Sequence, residues 1–75
     1  MRYAKNAVHW PLLDKRKTKA ARILAGFPIA ANLAKRLGVA RTTYAHWELG
    51  YHGIPPNSLA KLARLLKSAP EELVE

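Results

Sequence analysis

The chain of 75 residues is predicted to be an all-α protein, with five short helices that follow an extended N-terminal arm. Apolar residues recur at helical spacing in successive stretches, and Gly or Pro separates each stretch from the next. No stretch shows a convincing strand alternation, and a chain of this length forms one domain. The predicted arm covers residues 1–13, and the predicted helical domain covers residues 14–75.

The first helix is predicted to begin after Asp14, a favourable N-cap residue, and to end near Gly26. Basic residues dominate its opening turns, and its apolar positions are expected to face the core. Those positions are Ala20, Ile23, Leu24 and Phe27. The second helix is predicted to run from Pro28 to Leu37, where Gly38 ends it. Its expected inward residues are Ile29, Leu33, Ala34 and Leu37.

The third helix is predicted over residues 41–49, and Gly50 follows it. The next segment, YHGIPP, contains one glycine and two prolines and therefore predicts a loop. Asn57 is a candidate N-cap for a fourth helix. Its apolar stripe at i, i+3, i+4 and i+7 consists of Leu59, Leu62, Ala63 and Leu66. A capping-box pattern over residues 68–71 predicts a short fifth helix that carries Leu73 and Val74.

The charge is unevenly distributed along the chain, whose formal net charge is +8. Residues 1–47 carry ten Lys or Arg and one acid, whereas residues 48–75 carry three Lys or Arg and four Glu. A basic half of this kind indicates a polyanionic partner, with nucleic acid as the first candidate and an anionic membrane as the second. The alternative is that the charge serves solubility alone, although solubility does not require this segregation.

Several classes of function and site are not expected. The chain has no Cys, no apolar run near the roughly 18 residues of a membrane span, and no signal-peptide pattern, which favours a cytoplasmic protein. His9, His46 and His52 lack metal-ligand spacing, so we expect neither a metal nor a cofactor. No nucleophile or carboxylate pairs with a histidine, so we do not expect an enzyme.

The predicted third helix separates its residues into two faces at about 100° per residue. Thr43, Tyr44 and Trp47 share one side, on which the two aromatic rings can pack against the protein. The opposite side offers hydrogen-bond donors, a methyl group and a small residue, a combination that suits base edges in a major groove. The alternative interpretation is an ordinary solvated polar face. The outward residues are Arg41, Thr42, Ala45 and His46.

Two short helices joined by a tight turn containing Gly are typical of a helix-turn-helix. The segment LAKRLGVARTTYAHWELG resembles the helix-turn-helix of the lambdoid-phage repressor and Cro family, also called the XRE family. The similarity continues through IPPNSLAKLARLLKSAPEEL and covers about residues 15–74. It implies a compact five-helix, lambda-repressor-like domain that binds a near-palindromic, double-stranded DNA operator, usually as a homodimer.

The resemblance also implies roles for individual residues. Base edges would be read by Arg41, Thr42 and His46, and Ala45 would lie close to the groove. An ion pair between Arg22 and Glu48 would connect the first and third helices. The resemblance also places the hydroxyl of Thr43 within reach of a phosphate. The other expected phosphate contacts do not come from the resemblance and are Lys35, Arg36, Lys17, Lys19 and Tyr51.

The chain departs from the family pattern at two helix starts. Ala30 replaces the Gln that commonly begins the second helix, and Ala40 replaces the Ser or Thr that commonly caps the third. Ala40 therefore forgoes about 1 kcal/mol of capping.

Three functions remain open. A small transcription regulator, of the phage or prophage repressor type, is favoured. The alternatives are an antitoxin that also holds a toxin, for which the chain offers little surface beyond the arm and the last helix, and a helix-turn-helix used only for protein contacts. A membrane-binding peptide is disfavoured, because the apolar helix faces are needed for a core.

Overall fold

In the computed structural model, residues 10–75 are described, and most of the predicted arm, residues 1–9, lies outside this range. The described chain forms four α-helices: α1 (Lys15–Leu24), α2 (Ala30–Leu37), α3 (Arg41–Glu48) and α4 (Pro56–Leu66). A single 3₁₀ turn, Pro70–Glu72, follows them and is called the C-terminal turn below. The all-α prediction is therefore confirmed for the described residues, whereas the prediction of five helices is wrong.

The C-terminal turn replaces the predicted fifth helix because the backbone beyond it pairs with the start of α1. The carbonyl oxygen of Leu73 accepts hydrogen bonds from the backbone N–H of Asp14, at 2.8 Å, and from the hydroxyl of Thr18, at 2.9 Å. The N–H of Glu75 donates to the carbonyl of Leu12 at 3.0 Å, so it is not available for the bond to the residue four earlier that would continue a helix. The predicted capping box is also displaced by one residue, because Glu72 accepts from the N–H of Ala69 at 3.0 Å.

The segment that precedes α1 belongs to the folded body. Leu13 is buried and forms an isolated antiparallel bridge with Val74, and the carbonyl of Pro11 accepts from the N–H of Ile54 at 2.9 Å. Asp14 caps α1 as predicted, since its carboxylate accepts from the N–H of Lys17 at 2.9 Å. The last residues of the predicted arm are therefore fixed against both the C-terminal segment and the loop before α4.

The core is formed mainly by α2, α3, α4 and the segments that flank the helices. The inward positions predicted on α2 and α4 are buried or packed against the core, except for Ile29, which is 60% exposed. The buried apolar residues are Leu13, Leu33, Ala34, Leu37, Tyr44, Trp47, Ile54, Leu62, Ala63, Leu66 and Leu73.

The inward face predicted for the first helix is wrong at Ala20, Ile23 and Leu24, whereas Phe27 packs against the core as predicted. Ile23 and Leu24 are 47% and 87% exposed, whereas Thr18 and Arg22 are buried. These two polar side chains can be buried because each has hydrogen-bond partners, the carbonyl of Leu73 for Thr18 and a set of groups described below for Arg22. The inner face of α1 is therefore formed by two polar residues spaced four apart, Thr18 and Arg22, and the apolar residues at the end of the helix face solvent.

The predicted N-cap of α4 is also wrong. The helix begins at Pro56 and the cap position is Pro55, so Asn57 lies inside the first turn. Proline is favourable at the first helical position because its φ angle is already helical and its missing N–H would have no intrahelical partner.

Candidate nucleic-acid interface

A three-residue turn, Gly38 to Ala40, connects α2 to α3. Gly38 adopts a left-handed conformation with φ of 78°, which favours glycine. The N–H of Val39 then donates to the carbonyl of Ala34 at 3.1 Å, and the half-buried Val39 side chain packs against the core. The turn thereby fixes the direction in which α3 leaves α2, and the two helices pack directly on each other.

The helical wheel correctly predicts the inner position of the two aromatic residues of α3, but Thr43, which it places on the same side, is exposed. Tyr44 and Trp47 are buried, at 1% and 7% exposure, and fix the helix to the core. The first turn is exposed, and the outward residues of the second turn are partly buried. The side chains that α3 leaves accessible are Arg41, Thr42 and Thr43, with partial access to Ala45 and His46.

A buried ion pair holds α3 against α1. The guanidinium of Arg22 donates from Nε to Glu48 Oε1 at 2.9 Å and from Nη2 to Oε2 at 3.2 Å, a two-point contact. Its Nη1 donates to the carbonyls of Phe27 and Pro28, at 2.8 and 2.9 Å. One side chain therefore joins α1, the turn before α2 and the end of α3, which is the connection that the resemblance implies for this pair.

Tyr44, on α3, adds a hydrogen bond to these contacts of Arg22 and Glu48, which are together called the Arg22 junction below. Its hydroxyl donates to Glu48 Oε1 at 2.7 Å. Burial raises the pKa of the Tyr44 phenol well above its ordinary value, and the adjacent Glu48 carboxylate adds to the rise. The phenol thus remains protonated, and remains a donor, throughout the neutral pH range.

The N-terminus of α3 has unused backbone donors. Ala40 supplies no side-chain cap, and within residues 10–75 no acceptor is found for the N–H groups of Arg41, Thr42 and Thr43. These donors lie at the positive end of the helix dipole, beside three exposed side chains that carry a cation and two hydroxyls. This end of α3 is accordingly suited to an anionic or acceptor-rich ligand.

The loop after α3 folds back beside His46. The ring of Tyr51 lies 5.5 Å from the His46 ring, centroid to centroid, and the ring of His52 lies 5.4 Å away in an edge-on arrangement. Tyr51 and His52 are both exposed, so they extend the accessible surface of α3 at its C-terminal end. Sequence reasoning did not select His52, because no local periodicity indicates how the loop folds.

The predicted phosphate contacts occupy different surroundings. Lys35 and Arg36 are exposed on the last turn of α2, and the guanidinium of Arg36 lies over the Phe27 ring at 5.7 Å. Lys19 is exposed on α1, whereas Lys17 Nζ donates to the carbonyl of Val74 at 3.1 Å. Lys17 is thus oriented toward the C-terminal segment.

Acidic groups are separated from this basic surface. No acid occurs between residues 15 and 47, and Glu48 is held by Arg22 and Tyr44. The exposed glutamates are Glu71, Glu72 and Glu75, at the C-terminal end of the chain. A polyanion that approaches α2 and the start of α3 therefore meets Lys35, Arg36 and Arg41 with no acid in the same segments of the chain.

The described part of the chain lacks the features of two other kinds of site. Residues 10–75 contain no group of three His, Asp or Glu side chains arranged to hold a metal ion. No helix in the same range is long and apolar enough to cross a membrane.

The fold and the exposed face of α3 together define a helix-turn-helix module of the DNA-binding class. The family model described as "Helix-turn-helix" matches residues 19–73. The chain belongs to this family, the XRE or lambda-repressor type of helix-turn-helix DNA-binding domain. Its members are DNA-binding regulatory domains and not enzymes. No curated protein and no solved structure matches the chain.

Proposed function

We propose that this protein is a sequence-specific transcription regulator, a small repressor of the phage or prophage type that acts in the cytoplasm. It binds a pseudo-palindromic operator as a homodimer, with one α3 in the major groove of each half-site. The observation that carries the proposal is the outer face of α3, where Arg41, Thr42 and Thr43 are exposed beside unused backbone donors. The inner face of the same helix is fixed by Tyr44 and Trp47.

Base recognition is assigned to Arg41, Thr42, Ala45 and His46. The fork of an arginine fits guanine O6 and N7, and threonine offers a hydroxyl together with a methyl group. Ala45 allows close approach, because its side chain is small. His46 lies beside Tyr51 and His52, so its ring is supported on the loop side when it meets a base.

Phosphate binding is assigned to residues around the groove-binding helix. In this architecture the first helix of the motif, here α2, crosses the DNA backbone, so Lys35 and Arg36 would meet phosphates there. The guanidinium of Arg36 lies over the Phe27 ring, which already restricts the Arg36 side chain. The side chain therefore loses less conformational entropy when it binds a phosphate. The remaining proposed phosphate contacts are Thr43, Lys19, Tyr51 and, if it leaves Val74, Lys17.

Selection of duplexes from a random pool tests this function directly. We expect a consensus with two related half-sites, separated by about one helical turn. Affinity for the selected duplex should fall linearly in a plot of log K against log salt concentration, with a slope of about −0.9 for each phosphate contact. A protein that enriches no sequence, or whose DNA binding ignores salt, would contradict the proposal.

A further inference from the structure

Two histidine rings meet at the C-terminal end of the accessible surface of α3. His46 lies on α3 and His52 lies in the loop that follows it, and their ring centroids are 5.4 Å apart in an edge-on arrangement. His46 is partly buried and His52 is exposed, so a ligand can reach both rings. The proposed function uses His46 as a base contact and gives His52 no contact of its own with DNA.

The loop backbone is fixed on both sides of His52. Before it, the N–H of Tyr51 donates to the carbonyl of His46 at 2.9 Å, which turns the chain back beside α3. After it, Gly53 is buried so close to Trp10 that an added Cβ would lie 2.8 Å from the Trp10 carbonyl oxygen. The backbone therefore holds the two histidines next to each other.

The ring nitrogens of this pair have no partner within residues 10–75. No hydrogen bond from either imidazole is found there, and the ion pair of this range joins Arg22 to Glu48. Glu48 follows His46 by two residues, but its carboxylate is held by Arg22 and by the hydroxyl of Tyr44. The acceptors for these ring nitrogens must therefore come from water or from a ligand.

The elements around the pair offer no other carboxylate. Tyr51, whose ring lies 5.5 Å from the His46 ring, carries no charge in the neutral pH range. The segment over residues 10–13 has no charged side chain, and Arg41 is the cation of α3. The charges on the other three helices are all basic: Lys15, Arg16, Lys17, Lys19 and Arg22 on α1, Lys35 and Arg36 on α2, and Lys61 and Arg64 on α4.

These surroundings matter because histidine changes its charge near neutral pH. In model peptides the side chain gains a proton at about pH 6.5. Negative charge nearby favours the protonated form, and the described part of the chain places none beside the pair, whereas DNA brings its phosphates. Protonation also turns both ring nitrogens into donors, which match phosphate oxygens and the O6 and N7 acceptors of guanine.

We propose that His46 and His52 contact DNA as one unit, and that this unit takes up protons when DNA binds. His46 remains the base contact, and His52 is a further contact that meets the phosphates at the edge of the groove. The affinity for DNA consequently rises as the pH falls through the neutral range. The inference rests on the proposed function, because α3 must lie on DNA for the pair to reach it.

Fluorescence anisotropy over a range of pH tests the unit, with the selected operator and with a scrambled duplex. The salt concentration stays constant, because salt changes the affinity independently of protons. For the wild type and the operator, affinity should rise at least about tenfold from about pH 8 to about pH 6, since each proton taken up adds up to one unit of log K per pH unit.

Three glutamine variants assign the effect. Glutamine keeps a hydrogen-bonding side chain and cannot gain a charge. His52→Gln should lose about half of the slope of log K against pH, and the double variant His46→Gln, His52→Gln should lose most of it, because the slope counts the protons taken up. His9→Gln makes the same change at the third histidine of the chain and is the matched control, which should keep the wild-type slope.

His52→Lys separates a charge from a merely structural role. Its ammonium group is charged throughout this pH range, so the variant should bind more tightly than His52→Gln at about pH 8 and should have a flatter pH profile than the wild type. If His52 only shaped the loop, both substitutions would weaken binding at every pH and leave the slope unchanged. Thermal melts show that each variant is folded, as expected for changes at an exposed residue.

Three results would overturn the inference: a wild-type affinity that does not change with pH, a double variant that keeps the wild-type slope, or a control variant at His9 that loses it. These results are separate from a failure of the proposed function. A protein that selects a consensus sequence with a flat pH profile would refute the histidine unit and retain the function. A protein that selects no sequence, yet binds any duplex with a pH dependence that the double variant lacks, would do the reverse.

Discussion

Two arginines of this molecule, Arg22 and Arg41, lie within helices of similar length and have opposite surroundings. Arg22 is 4% exposed and donates to both oxygens of Glu48 and to two backbone carbonyls. Arg41 is exposed at the start of α3, and within residues 10–75 no hydrogen bond or ion pair is found for its side chain. The same guanidinium group connects parts of the fold in one place and faces solvent in the other.

The difference separates two roles of charged residues in a small domain: one holds the fold together, and the other is available for binding. A buried guanidinium must have every donor matched, because an unpaired buried charge is strongly destabilising. An exposed guanidinium satisfies its donors with water and can exchange that water for a base or a phosphate. Changes at the Arg22 junction should therefore alter folding, and changes at Arg41 should alter binding.

The largest expected effect follows from breaking the junction. Glu48→Ala leaves Arg22 buried without its carboxylate and removes the acceptor of the Tyr44 hydroxyl. We expect a loss of about 3–5 kcal/mol in the free energy of unfolding, which is a large part of the stability of a small domain. Urea denaturation measures it, and Glu71→Ala is the control, an exposed glutamate whose removal should cost less than about 0.5 kcal/mol. Coincident curves for the two variants would show that the pair contributes nothing specific.

The second prediction concerns the exposed arginine. Arg41→Ala should change the free energy of unfolding by less than about 0.5 kcal/mol. It should weaken binding to the selected operator by about 1–3 kcal/mol per half-site and affect a scrambled duplex much less. Fluorescence anisotropy with both duplexes measures this loss of discrimination. If affinity fell equally for the two, Arg41 would contact phosphate, and the assignment of the base-reading face would be wrong.

The same comparison explains which parts of the structure the sequence could predict. Gly38 and the apolar spacing of α2 and α4 indicate local structure directly, and the cap at Asp14 follows from local hydrogen bonding. The inward face of α1 was wrongly predicted, because Thr18 and Arg22 are buried by partners 55 and 26 residues away in the chain. The pairing of Arg22 with Glu48 came from the family resemblance and not from any periodicity.

The missed features share the same physical origin. The fifth helix was predicted from a local capping pattern, yet Val74 and Glu75 pair with Leu13 and Leu12 instead of extending a helix. His52 was missed because its position beside His46 depends on the path of a loop. That path is fixed at Gly53, where an added Cβ would lie 2.8 Å from the Cβ and carbonyl oxygen of Trp10. Contacts between distant segments decide the inward face of α1, the C-terminal turn and the position of His52, and a local sequence pattern does not contain these contacts.

A third prediction tests the junction through pH. The pKa of Tyr44 is raised in the folded protein, whereas in the unfolded chain a tyrosine ionises near pH 10. Above about pH 10 the unfolded state therefore loses a proton that the folded state retains, and stability falls by about 1.4 kcal/mol per pH unit from this group. Below that pH both states hold the proton, and the group adds no pH dependence.

Tyr44→Phe isolates this contribution. The variant should be about 1–2 kcal/mol less stable than the wild type at pH 7, because the hydrogen bond to Glu48 is lost. The difference should shrink as the pH rises above about 10, since only the wild type carries the additional loss. Urea denaturation at several pH values from neutral to alkaline measures both curves. Curves that stay parallel over the whole range would show that the phenol is not held in its protonated form.

The smallest expected effect tests whether DNA binding depends on a charge at a particular position, Lys35 on α2, or only on the net charge of the domain. Lys35 lies on the last turn of α2, the helix that is proposed to cross the DNA backbone, and it can meet only phosphate or solvent there. Lys35→Ala should weaken binding to the operator and to the scrambled duplex by the same factor. It should also make the slope of log K against log salt concentration less steep by about one unit per subunit. Arg64→Ala makes the same charge change on the exposed surface of α4, where no phosphate contact is proposed, and should leave the slope unchanged. Salt titrations of both variants against the wild type make the comparison. Equal flattening by the two substitutions would mean that DNA responds to the net charge of the domain, and that α2 is not placed along the backbone as proposed.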